Sequence, residues 1–329
     1  MVALTLALGS SLAWGVSDFM GGMAGRRLPL LMVLIVSQAV GLYLALVMLA
    51  YFPEPFPSGR AALMATASGM ADAVGLWALY RGLATSAMGI VAPVAATGAL
   101  LPVGYGLVTG QPGSTALVVG VGMALAGVAL VALEPGGSKG DQAPASRGVA
   151  LGLVSALGFG LGFLLLGLAS ESEVGWSVLL NRVGSVALVA VVVAATWTPL
   201  RFSGDDFPGL AAIGMLDALA ITLFAWASTH GSVGLVAALG SLYPVVTALL
   251  ARTLLNERLG MLRRIGAMAA VGGALMLSAA AAEHSPEPEP RAEAASSSGH
   301  RSAPRLVPIR RLTQPAVYEP VPGPRSTGT

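Results

Sequence analysis

The chain of 329 residues contains no cysteine, which excludes disulfides, thiolate metal sites and cysteine nucleophiles together. Charge is nearly as scarce. D, E, K and R make up 10% of the residues, against roughly 25% in an ordinary soluble domain, too few to clothe a water-facing surface. Lysine occurs once, at Lys139, and histidine three times, at His230, His284 and His300. A formal net charge of +2 offers no polyanion-binding surface, so nucleic acid is not an expected partner. What the chain has in quantity is apolar: 55% of its residues are hydrophobic and 43 are glycine. These proportions describe an integral membrane protein.

A helix needs roughly 20 mostly apolar residues to cross the hydrocarbon core. Ten such runs occur, at about 2–25, 29–52, 60–80, 86–109, 114–133, 148–169, 174–197, 208–229, 233–253 and 261–282. They are continuously hydrophobic, without the period-2 alternation of a transmembrane barrel, so the fold class is all-α polytopic with ten transmembrane helices. The first run lacks a basic leader, carries Asp18 and leads at once into a second span, which argues for retention over cleavage as a signal peptide. The last 47 residues, from Glu283, hold 11 of the 34 charged residues and 9 of the 21 prolines; such a tail cannot bury enough surface to order itself and is expected to be disordered.

Two halves can be aligned. ASGMADA at 67–73 recurs as AIGMLDA at 212–218, five of seven identical at an offset of 145. The same offset pairs Ser10 with Ser155, Gly15 with Gly160, Gly89 with Gly234 and Val91 with Val236. Five spans per half is an odd number, so the second copy crosses the membrane in the opposite sense and the halves form an inverted 5+5 repeat. The expected organisation is a first repeat at 1–133, a loop at 134–147, a second repeat at 148–282 and the tail at 283–329. Secondary transporters are often built this way, with the substrate site near the midplane between the copies.

Several short motifs then carry a family resemblance. Trp14-Gly15 in the first span, Ser241 and Tyr243-Pro244 in the ninth, Leu255-Asn256-Glu257-Arg258-Leu259 after it and the small-residue run Gly266 to Gly273 together resemble the EamA branch of the drug/metabolite transporter superfamily. The first half departs from the pattern: Gln111 stands near the place of the hallmark glutamate, and Pro102 is out of register with Pro244. The resemblance implies a ten-helix carrier of small metabolites, often an exporter, in the bacterial inner membrane with both ends cytoplasmic. The basic residues favour the other orientation. Ten of them, Arg26 and Arg27 among them, fall after odd-numbered spans, against three, Arg60, Arg291 and Arg301, on the other side.

Ionisable groups within spans are the first candidates for function, because each costs about 2.5–3.5 kcal/mol at a helix centre. There are four: Asp18, Asp72, Arg182 and Asp217. Asp72 and Asp217 are repeat mates and head the list. Desolvation favours the protonated form of a carboxyl, so this pair could couple proton movement to transport; alternatively either acid is a fixed partner of Arg182. Asn181-Arg182 could bind a substrate carboxylate or pair with Asp18 or Asp217. Trp14 shares a helix face with Asp18. Gln38, Ser241 and Tyr243 are further polar lining candidates, and Pro93, Pro102 and Pro244 mark helix kinks that free backbone carbonyls. Neither a catalytic constellation nor a metal-ligand spacing such as HExxH is present in the sequence, so no catalytic residue, metal or cofactor is expected. A channel or an intramembrane enzyme with a polar midplane cavity is the alternative reading. The expected partners are a small-molecule substrate, protons as coupling ion and the lipid bilayer, for a monomer or homodimer.

Overall fold

A computed structural model of the chain describes residues 1–85, 88–109, 115–133, 145–171, 173–198 and 203–254, with short stretches between 261 and 276. Among them every regular element is helical: α1 (Val2–Ala24), α2 (Leu30–Tyr51), α3 (Gly59–Thr85), α4 (Met88–Ala96), α5 (Leu100–Val108), α6 (Thr115–Leu133), α7 (Ala145–Ala169), α8 (Val174–Thr196), α9 (Phe207–Ser228), α10 (Val233–Gly240) and α11 (Tyr243–Leu254). Six of these, α1, α2, α3, α7, α8 and α9, are long and apolar enough to cross a membrane. The tail, Gln111, residues 255–259 and most of the tenth expected span lie outside the described residues.

The fourth and ninth expected spans differ from the sequence reading. Each is two short helices instead of one. A 3₁₀ turn over Thr97–Ala99 joins α4 to α5, between Pro93 and Pro102, and a turn at Ser241-Leu242 joins α10 to α11, directly before Pro244. Pro102 has no N–H to offer its preceding turn, and Pro244 sits in the first turn of α11, where that lack costs nothing. The two interruptions fall at nearly equivalent places in the 145-residue register.

Packing follows the same register. The first-half helix α3 packs on α7 and α8, and its counterpart α9 packs on α1 and α2. The span formed by α4 and α5 packs on α7; that formed by α10 and α11 packs on α1. Glycine permits the closest approaches. A side chain at Gly69 would strike the carbonyl of Asn181, and one at its mate Gly214 the carbonyl of Ser37, so α3 crosses α8, and α9 crosses α2, backbone to backbone. Gly160 lies likewise against the carbonyl of Gly98.

Polarity is inverted relative to a soluble protein. Ser10, Ser17, Ser37, Ser68 and Asn181 are buried, while Leu12, Leu63, Leu157 and Val191 face outward. Hydroxyls within helices bond the carbonyl three or four residues back, as Thr66 does to Ala62 and Ser68 to Ala65, which makes serine and threonine tolerable without water.

Candidate functional site

Four helices bring an i, i+4 pair of side chains to one internal cavity: Trp14 and Asp18 from α1, Asp72 and Leu76 from α3, Phe159 and Phe163 from α7, and Asp217 and Ile221 from α9. Spacing of four puts both members of each pair on one helix face. An offset of 145 relates Trp14 to Phe159, Asp18 to Phe163, Asp72 to Asp217 and Leu76 to Ile221. Gln38, Arg182, Ser185 and Tyr243 complete the wall. The space inside is about 30 Å³. That is room for a water or two, well below the roughly 300–1,000 Å³ of a small-molecule pocket.

Asp217 is saturated. Its Oδ2 accepts from Arg182 Nη1 at 2.7 Å and Gln38 Nε2 at 3.0 Å, its Oδ1 accepts from Trp14 Nε1 at 3.0 Å, and its carbonyl accepts from Arg182 Nη2 at 3.0 Å. Arg182 Nη1 also donates to Gln38 Oε1 at 2.7 Å, which receives Ser185 Oγ at 3.1 Å. Arg182 is only 2% exposed, and its guanidinium lies beside Gly41, where a larger residue would crowd its stem. Of the roles open to Arg182 from sequence, the one in place is an ion pair with Asp217. A buried carboxylate with this many donors is fixed in place.

Asp72 is bonded differently. Its Oδ2 accepts from Asn181 Nδ2 at 2.8 Å, an amide that also donates to Ser68 Oγ at 2.9 Å. Its Oδ1 is buried, pressed against Gly162, and has no hydrogen-bond partner among the described residues. Asp18 is 4% exposed, lines the cavity and likewise has no partner among the described residues. The difference between the two repeat mates has a sequence cause. The three donors to Asp217 are Trp14, Gln38 and Arg182; the matching positions for Asp72 are Phe159, Val183 and Ser37, and the Ser37 hydroxyl is spent on Leu34.

The aromatic rings form one chain. Phe159 meets Tyr243 edge-on at 6.2 Å and stacks on Phe163 at 6.2 Å, and Phe163 reaches Phe224 at 4.9 Å and Trp14 at 5.2 Å. Phe159, Phe163 and Ser185 were not among the sequence candidates; the repeat register applied to Trp14 and Asp18 points to both phenylalanines. Of the sequence candidates, Trp14, Asp18, Gln38, Asp72, Arg182, Asp217 and Tyr243 meet at the cavity and Asn181 supports it from behind. Ser241 instead bonds the carbonyl of Ala238 in the turn between α10 and α11. His230 is exposed beside Trp226 and Thr229, away from the site.

Three comparisons bear on this arrangement. Residues 146–279 match the model of the EamA-like transporter family. No curated protein matches the chain. Among solved structures 29 chains match it. One, titled only as the crystal structure of a protein, superposes with a TM-score of 0.65 at 18% identity, covering 85% of this chain and 98% of its own. That likeness speaks to the fold.

Proposed function

We propose, from the match of residues 146–279 to the EamA-like transporter family and from the six helices long and apolar enough to cross a membrane, that the chain is a secondary carrier of the drug/metabolite transporter type. It moves a small metabolite by alternating access, as a proton-coupled exporter of the bacterial inner membrane. The observation that carries the reading is the cavity itself: four i, i+4 pairs from two halves related by one offset converge on it. Inverted copies can exchange conformations, which gives inward-open and outward-open states of similar energy. The interrupted helices at Thr97–Ala99 and Ser241-Leu242 support the same reading, because broken segments in corresponding positions mark the binding region of inverted-repeat carriers.

The two mates then divide the work. Asp217, tied by Arg182, Trp14 and Gln38, fixes α9 against α1, α2 and α8. Asp72, with one oxygen unclaimed, is the group free to take and release a proton. The test is counterflow in proteoliposomes holding a trapped pH-sensitive dye, with a mixed pool of amino acids and amines as cargo. Wild type is expected to accelerate uptake of labelled cargo from a preloaded pool and to move protons with it. Asp72→Asn should lose the proton signal in whatever exchange remains. Unchanged, still proton-coupled uptake in Asp72→Asn overturns the assignment, and absence of counterflow overturns the carrier.

A further inference from the structure

We infer that the cavity takes organic cations carrying a flat apolar body, bound between the free acids Asp18 and Asp72 and the ring cluster. The inference rests on the carrier reading above and adds the class of cargo.

The charges around the space are Asp18, Asp72, Asp217 and Arg182, with Tyr243 the other titratable side chain in the wall. Arg182 cancels Asp217, and its two terminal nitrogens are both spent, one on Asp217 and Gln38 and the other on the Asp217 carbonyl. Its Nε carries no partner but sits beside Gly41, behind the ion pair. The cavity therefore offers a carboxylate or phosphate no available cation. That removes the role of substrate-carboxylate ligand from Arg182, and with it the case for an anionic cargo.

The acids are the reverse. Asp18 is 4% exposed and unpartnered among the described residues, and Asp72 presents a buried Oδ1 with no donor. A carboxylate removed from water requires a positive partner or a proton. Among the described residues nothing else in the wall supplies the positive partner. The rings supply the rest of the site: Trp14, Phe159, Phe163 and Tyr243 line the same space as the two acids. An ammonium over such faces is attracted by the ring quadrupoles, the more so when water is excluded. A neutral body of the same shape gains the apolar contact and none of the charge terms.

The experiment uses the purified full-length protein and three probes with the same phenylethyl body and different charge: phenethylammonium, 2-phenylethanol and 3-phenylpropionate. Titration calorimetry at neutral pH is expected to give phenethylammonium at least tenfold tighter binding than either analogue. Asp18→Asn and Asp72→Asn are each expected to weaken it at least tenfold while leaving the alcohol unchanged. Should one variant fail to fold, the wild-type ranking and the other variant still decide. Equal or tighter binding of the alcohol or the propionate, no binding of phenethylammonium, or an unaltered ranking in folded variants overturns the inference. Selective cation binding without counterflow of labelled phenethylammonium would instead defeat the carrier reading and leave the site standing.

Discussion

The indole N–H of Trp14 donates to Oδ1 of Asp217 across 3.0 Å, joining the first helix of one half to the third helix of the other. Phe159 occupies the matching place before Asp72 and has no proton to give. Together with the replacement of Gln38 by Val183 and of Arg182 by Ser37 at the other two matching positions, this leaves a fixed acid on one side of the cavity and an underbonded acid on the other. The two acids are equivalent in sequence position and different in chemistry.

The Arg182–Asp217 pair predicts a stability result. Arg182→Met leaves a buried carboxylate uncompensated and takes one of its two donors from Gln38 Oε1, and breaking such a pair from one side costs about 3–5 kcal/mol. Arg182→Met combined with Asp217→Leu removes both charges and should recover part of that loss. Unfolding of the purified variants in a denaturing-detergent titration measures it. Additive losses in the double variant would mean that the ion pair contributes little.

Close helix crossings predict a second, cargo-independent result. Gly69→Val and Gly214→Val each drive a side chain into a backbone carbonyl of the opposite half, which a helix cannot yield without separating. Folded yield is expected to collapse in both. Gly209→Ala is the control: nothing lies near the new methyl, and alanine is up to about 1 kcal/mol the better helix former. Folded yield on size exclusion distinguishes them, and Gly69→Val at wild-type yield would contradict the crossing of α3 on α8.

Much of this was legible in the sequence, and the misses have physical reasons. The long helices α1, α2, α3, α7, α8 and α9 follow the hydrophobic runs closely, because a continuous apolar stretch has few ways to satisfy its backbone other than as a helix. Pro93, Pro102 and Pro244 mark kinks in the fourth and ninth spans, but not a full break into two helices: composition does not change at Thr97 or Ser241, and a 3₁₀ turn needs only a local shift in bonding partner. Asp72, Asp217, Asp18 and Arg182 stood out because charge in a span is rare. Which acid Arg182 would choose was open, since that depends on how α8 and α9 rotate about their axes. Phe159 and Phe163 escaped notice among many apolar residues, although the register that linked Asp72 to Asp217 also linked them to Trp14 and Asp18.

At one end of the bundle Glu54, in the loop after α2, accepts from the backbone N–H of Gly175 at 2.8 Å in the first turn of α8. Its carbonyl receives Trp176 Nε1 at 3.0 Å, and Phe56 meets Trp176 edge-on at 4.9 Å. A carboxylate there satisfies an orphan donor and complements the helix dipole. Glu54→Ala is expected to lower stability by about 0.5–2 kcal/mol, the usual worth of a helix cap. Cleavage by a protease in the 53–58 loop should quicken, while Glu54→Gln, which keeps an acceptor, should sit between. Equal cleavage rates in all three would show that the aromatic contact alone pins the loop.

Phe159→Trp tests the asymmetry directly. The substitution puts an indole at the position that matches Trp14, on the cavity wall it shares with Asp72, whose Oδ1 has no partner among the described residues. A bond made there would occupy the one oxygen of Asp72 that has no partner among the described residues. Extra volume beside Phe163 and Tyr243 opposes this, at a typical overpacking cost of about 1–3 kcal/mol, so stability is expected to change little in sum. The functional result is one-sided: Phe159→Trp should depress proton-coupled exchange at least tenfold, and Phe159→Leu, which adds no donor, should keep the coupling. Equal coupling in the two variants would mean that the underbonded oxygen of Asp72 is not where the proton is carried.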